Sequence, residues 1–223
     1  MTTPKLYIGN KNYSSWSMRP WLALRWGGVA FEEFVIPLGG EGYGKSKIAE
    51  VVAISPSGRV PALHVDGLVI NDSLAICEWA NEAAPDARLW PEAPAARALG
   101  RAAAAEMHAG FAALRRDMSM NIRRRLPAPP ALPGDTRADL VRLFELWAAL
   151  LDRFGGPWLV GSRSIADAMY APVVTRLRTY AVETPPPLRA YCETVLNDSD
   201  FCAWEDAAAA EPWTIPQADG LYA

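Results

Sequence analysis

Histidine and cysteine are scarce in this chain of 223 residues, which holds two of the first and three of the second. The cysteines, Cys77, Cys192 and Cys202, lie far apart in apolar or helix-like sequence and share no metal-ligand spacing. That excludes a zinc-type site or a disulfide framework, and reads as reduced thiols of a cytoplasmic protein. With only His64 and His108 as bases, a serine nucleophile activated through histidine finds little support. No apolar run is long enough to span a bilayer, and Met1-Thr2-Thr3-Pro4-Lys5 leads straight into a strand-like run without a secretory signal pattern. Positive charge is not in excess either. Lys and Arg number 22 against 25 Asp and Glu, a net charge of −3 at pH 7, so neither nucleic acid nor an anionic membrane is an expected partner.

What is present is a globular composition, 51% hydrophobic and 21% charged, long enough for one large domain or two small ones. Lys5-Leu6-Tyr7-Ile8-Gly9 reads as a short buried strand closed by a turn, and the run from Trp21 to Trp26 as a helix ending at Gly27-Gly28. Phe31 to Ile36 is a second strand, stopped by Pro37. A glycine-rich stretch and a weak helix around 45–52 follow. Ala62 to Val65 and Leu68 to Ile70 then flank Asp66-Gly67, the chemistry of a tight hairpin. Asn71-Asp72-Ser73 opens a helix running to Ala84, so the order is β-α-β-α-β-β-α. Prolines between Pro85 and Pro94 mark a boundary, beyond which only helices are expected.

In that second part Leu99, Ala103, Met107, Phe111, Leu114 and Met118 step by three and four. The spacing predicts one long helix, broken only by the proline-rich stretch from Leu126 to Pro133. Further helices are expected over Gly134 to Phe154, Ala168 to Leu177 behind a reciprocal Ser164–Asp167 cap, Leu188 to Leu196, and Ala203 to Ala210. Glu211 to Ala223 reads as a loose tail. Arg115, Arg116 and Arg123-Arg124-Arg125 read as a basic cluster on one helix with a solvated end.

Tyr13-Ser14-Ser15-Trp16-Ser17-Met18-Arg19 puts three hydroxyls at the start of a helix. Free backbone N–H groups and the helix dipole there favour an anion or thiolate. Serine is equally a preferred N-cap, so a merely capped helix explains the same residues. Asp72-Ser73 carries the same two readings. Close to this stretch Lys11 reads as a solvated surface lysine, or a charge that draws an anion toward the site, and Arg19 as a structural charge.

Taken together, these motifs resemble the cytosolic glutathione transferase family over the whole chain. Ser55-Pro56-Ser57-Gly58-Arg59-Val60-Pro61-Ala62-Leu63 is similar to the family's loop with a cis proline, here Pro61. Asn71-Asp72-Ser73-Leu74-Ala75-Ile76 is similar to its acidic-then-serine motif, and Ser164-Ile165-Ala166-Asp167 to the cap in its helical domain. The serine stretch most resembles the zeta class, which carries Ser-Ser-Cys-Ser and includes maleylacetoacetate isomerases. Trp16 stands where that signature has cysteine.

The resemblance implies an α/β plus all-α fold: a thioredoxin-like, glutathione-binding domain over residues 1–84, a linker over 85–94, and an all-helical substrate-binding domain over 95–223. It also implies a cytoplasmic homodimer, with glutathione as co-substrate, no metal, and a small electrophile as second substrate. Ser14 is the expected catalytic donor to the glutathione thiol, with Ser15 and then Ser17 as alternatives. Ser15, Val60, Pro61, Asp72 and Ser73 are the expected glutathione-binding residues, and Lys45 or Lys47 a candidate for its glycyl carboxylate. His108, Phe111 and Arg115 are the expected substrate-pocket wall, with Met118 beside them. The implied function is a glutathione transferase. The alternatives are a zeta-like maleylacetoacetate isomerase using glutathione as cofactor and a non-catalytic binding or assembly module.

Overall fold

Leu6 and Ile8 are fully buried on one face of the first strand, β1 (Lys5–Gly9), while Lys5 is exposed. This is the two-residue alternation of a strand with one covered face. Strand β2 (Glu32–Ile36) runs parallel to it with Lys5 opposite Glu32, and β3 (Ala62–Val65) runs antiparallel along its other edge. Strand β4 (Leu68–Ile70) pairs with β3, completing a sheet of order β2-β1-β3-β4. Asp66 and Gly67 between them take φ of 46° and 80°, the left-handed pair that suits the twist of a two-residue hairpin. The structure, a computed structural model, describes residues 2–39, 44 and 48–222. Lys45 and Lys47 lie outside the described residues.

Helices α1 (Ser15–Trp26), α2 (Ala49–Ile54) and α3 (Ser73–Ala83) alternate with the strands in the expected order. They are followed by α4 (Pro94–Ala109), α5 (Ala112–Asp117), α6 (Gly134–Phe154), α7 (Ile165–Thr179), α8 (Pro186–Leu196), α9 (Ser199–Ala210) and α10 (Pro216–Asp219). No helix among the described residues is long and apolar enough to cross a membrane.

Helix α1 is the pillar of the molecule. All of its residues except Trp16 and Arg25 are buried, against β1, α3, α7 and α9. Trp26 Nε1 donates to Asp198 Oδ1 at 3.0 Å, and Trp21 meets Trp204 edge-on at 5.3 Å. One continuous apolar core runs from Leu6 and Ile8 through Met18 and Leu22 to Met107, Trp147 and Tyr170. Each large side chain buried there contributes about 1.5–3 kcal/mol, so the serine stretch sits on a rigid support.

Five expectations need correction. The long helix after Pro94 is two helices, broken at Gly110, where the backbone leaves no room for a Cβ (2.7 Å from Glu106 O), and at Phe111, which takes a left-handed φ of 54°. Leu99, expected in the buried stripe, is 37% exposed. Arg123, Arg124 and Arg125 follow α5 rather than sharing its helix, and the first two grip the carboxyl-terminal segment. Arg123 donates to Glu211 O and Trp213 O at 2.6 and 2.7 Å, and Arg124 to Leu221 O and Tyr222 O. That segment is therefore no loose tail: Ile215 is fully buried, and Glu211 accepts from Lys11 N and Asn12 N at 2.6 and 3.0 Å. Lys11 itself is buried, paired with Glu33 at 2.7 Å between the rings of Trp21 and Trp204.

Candidate functional site

Between β1 and α1 the backbone folds on itself, with Tyr13 N and Ser14 N both donating to Asn10 O at 3.1 and 2.8 Å. Ser14 arrives in this way as the N-cap of α1, yet its side chain accepts no bond from the helix's backbone N–H groups. Its Oγ lies 2.7 Å from Ser17 Oγ, which also accepts the N–H of Gly9 at 3.1 Å. Either hydroxyl can donate in this pair, and with Ser17 as the donor the Ser14 proton is left for an acceptor in the adjoining cavity. Ser15 Oγ accepts from Arg176 Nη2 at 3.1 Å. Ser17 is fully buried beneath both and lines no part of that cavity.

The cavity measures about 550 Å³, with Ser14, Ser15 and Trp16 along one side. Val60 and Pro61, joined by a cis peptide bond, line a second side, and Asn71, Asp72 and Ser73 a third. Asp72 caps α3 through Oδ1, which accepts from Leu74 N at 3.0 Å and Ala75 N at 3.3 Å. Ser73, the first residue of that helix, has a buried hydroxyl with no partner. A polar atom so placed at a helix N-terminus is ready for an anionic group.

Of the expected electrophile wall, His108 lines the cavity, 25% exposed. Phe111 and Arg115 do not. The break at Gly110 turns Phe111 into the core against Tyr170, their rings 6.5 Å apart. Arg115 donates to Met107 O at 3.0 Å and lies behind Trp16, 5.4 Å from its ring centre. Met118 is fully buried.

The ground behind Trp16 is strongly positive. Arg19 stacks on the other contact of that indole, 4.4 Å from its centre, fully buried and with no hydrogen-bond partner. Burial, and then the charges of Arg176 and Arg115, push its pKa down to about 9. Arg176, lowered to about 10 chiefly by burial, spans Met118 O at 2.7 Å and Ser15. Such a cluster favours negative charge at the serines. Cys77 nearby is no nucleophile, since burial drives its thiol pKa far upward.

Sequence reasoning placed Arg19 close to the site and missed Arg176, whose one signal is a cation inside the apolar run of α7. It also missed Tyr13, which lines the cavity while its hydroxyl donates to Asp219 (2.9 Å to each oxygen) and accepts from Arg123 at 3.2 Å. Among the described residues no group of three or more His, Cys, Asp and Glu side chains is arranged to hold a metal.

Known proteins resemble this chain in sequence and in fold. The family model described as "Glutathione S-transferase, N-terminal domain" matches residues 13–83, from the serine stretch to the end of α3. The maleylacetoacetate isomerase of Rattus norvegicus is 30% identical over 184 residues, 82% of each chain. The probable maleylacetoacetate isomerase of Caenorhabditis elegans is 32% identical over 186 residues, 82% of this chain and 83% of its own. In three dimensions a glutathione transferase homolog from Burkholderia, solved with bound glutathione, superposes with a TM-score of 0.70 at 23% identity. The match covers 95% of this chain and 100% of that one.

Proposed function

Since this chain belongs to the glutathione S-transferase family, we propose that it binds glutathione beside Ser14 and turns the bound thiol on a small electrophile. The observation that carries the reading is the Ser14 hydroxyl, withheld from the backbone N–H groups of its helix and backed by Ser17 and the Gly9 N–H. A free thiol titrates near ~8.5 and catalysis at neutral pH needs it lowered by about one or two units, each worth about 1.36 kcal/mol. One hydrogen bond to the charged sulfur contributes roughly 1.5–3 kcal/mol, which is the size required. The arginines behind Trp16 act in the same direction.

In this reading Ser15 completes the corner and the backbone of Val60 beside Pro61 pairs with the tripeptide. Asp72 takes the α-ammonium of the γ-glutamyl end and Ser73 its carboxylate. The open hydroxyl of Ser73 fits the group it would hold. Residues 1–84 hold glutathione, 85–94 connect, and 95–223 face the electrophile. Setting the thiolate against its target supplies the remaining advantage without further chemistry from the protein. Three free cysteines suit a cytoplasmic setting, and the exposed Leu68 and Val69 on edge strand β4 suit a homodimer.

The test is glutathione binding with thiolate absorbance followed against pH in the wild type and Ser14→Ala. Bound glutathione with a depressed thiol pKa that returns toward the free value in Ser14→Ala supports the reading. An unchanged pKa in the variant moves the role to Ser15, and no binding by the wild type points to a non-catalytic module. A second reading, isomerisation of maleylacetoacetate with glutathione as cofactor, is favoured by the rat and nematode relatives. Trp16 in place of cysteine sets it behind transfer, and faster turnover of maleylacetoacetate than of model electrophiles would reverse that order.

A further inference from the structure

Among the described residues, His108 is the sole contribution of the chain beyond Pro94 to the cavity wall. Its Nε2 lies 2.8 Å from Asp72 Oδ2, so a side chain of α4 reaches the residue that caps α3. Asp72 is divided between two duties: Oδ1 serves the helix, and Oδ2 faces the imidazole. Trp16 from α1 stands edge-on to the ring at 5.4 Å. The charged groups around His108 are Asp72 from α3, Arg115 from α5, which reaches the His108 carbonyl at 3.5 Å, and Arg19 from α1 behind Trp16. His108 Nδ1 is buried without a partner.

This setting fixes the tautomer of the neutral ring. A carboxylate only accepts, so Nε2 carries the proton and donates to Asp72, and Nδ1 keeps a bare lone pair. A second proton on Nδ1 would be a buried donor without an acceptor, and it would put a cation against the carboxylate.

We propose that His108 is a positioning residue for the α-ammonium of glutathione, acting through Asp72. Neutral, it holds the 52% exposed carboxylate in place with a single donated bond and leaves its charge for the ligand. Protonated, it takes that charge for its own ion pair and competes with the ammonium. The inference rests on the reading that the γ-glutamyl end lies at Asp72 and Ser73. Affinity for glutathione is accordingly lower with the ring protonated than with it neutral.

The test uses S-methylglutathione, which keeps the γ-glutamyl ammonium and both carboxylates and has no thiol proton. Its dissociation constant is measured by calorimetry from pH 5 to 8 for the wild type, His108→Ala, His108→Gln and His64→Gln. The last removes the chain's other histidine, whose Nε2 lies 2.7 Å from Ile54 O. Wild type and His64→Gln should weaken by about tenfold or more toward low pH, the worth of one charged hydrogen bond. His108→Ala should lose about tenfold at the upper end and show a flat profile. His108→Gln, a donor that does not titrate, should recover most of that affinity and none of the slope. A flat wild-type profile, or a slope that survives in His108→Gln, overturns the proposal. Absence of binding at every pH overturns the glutathione reading itself, and this one with it.

Discussion

Helices α1 and α7 both begin behind a serine, Ser14 and Ser164, and the two hydroxyls are used in opposite ways. Ser164 is fully buried and closed into a box with Asp167. Its N–H and hydroxyl both donate to Oδ2, at 2.9 and 3.0 Å, while Oδ1 accepts from Leu159 N at 3.0 Å. Nothing there is left for a ligand. Ser14 borders the cavity, caps no backbone N–H of its helix, and is linked to the Ser17 hydroxyl instead. The same residue at the same place in a helix is a structural fastener when an acid three residues on satisfies it. It becomes a chemical group when the next hydroxyl is a serine itself anchored from behind by Gly9 N–H.

Breaking the fastener should give the largest effect. Asp167→Ala strands two backbone donors and a hydroxyl in the core, at about 1–3 kcal/mol each before relaxation, so a loss of about 4 kcal/mol is expected in urea unfolding. Glutathione binding by the fraction that remains folded should be unchanged, since no atom of the box lines the cavity. Ser14→Ala should do the reverse. We expect kcat/KM to fall about a hundredfold, or about 2.7 kcal/mol of transition-state stabilisation, as when one pre-placed donor to a developing anion is removed. Its stability in urea should fall by only about 1 kcal/mol, because the helix loses no backbone capping bond and one buried hydroxyl, that of Ser17, loses its partner. A large stability loss in Ser14→Ala would erase the contrast between the two serines.

Between these extremes lies the carboxyl-terminal segment. Ile215 is fully buried in a small cluster with Tyr13, Ala218 and Leu38, and Tyr13 and Leu38 both line the cavity. Ile215→Ala is expected to cost about 2 kcal/mol of stability. Unlike Asp167→Ala, it should also weaken glutathione binding several-fold, measured by calorimetry on the folded variant.

That segment also shows where the sequence stops being legible. The β-α-β-α-β-β-α order could be read because each element is short and bounded by Gly, Pro or an Asp-Gly turn, local signals that tertiary packing did not override. Three sides of the cavity were equally local: Ser14-Ser15, Val60-Pro61 and Asp72-Ser73 each lie in one continuous motif. What failed depends on long-range partners. Glu211 to Tyr222 has the composition of a loop, and its order comes from groups about a hundred to two hundred positions away, Arg123, Asn121 and Lys11. The stripe through Phe111 keeps helical spacing across a break at Gly110, a position with no room for a Cβ, which spacing does not register. Arg115 was thereby assigned to a wall it does not reach.

The smallest expected effect tests the box by pH rather than by deletion. Burial raises the Asp167 pKa to about 6 despite the donors it accepts from Leu159 and Ser164. A raised carboxyl pKa means that the folded state holds the proton more tightly than the unfolded chain, whose value is near ~3.9. The group's favourable contribution is thus full below about pH 4 and is lost as pH rises through 6. Asp167→Asn carries no such proton. The stability of the wild type relative to Asp167→Asn should therefore increase by about 1 kcal/mol between pH 7 and pH 5, as read from paired urea titrations. A constant difference would mean that the three donors hold the carboxylate ionised in the core, making the Ser164 box an anion site in its own right and narrowing its distance from Ser14.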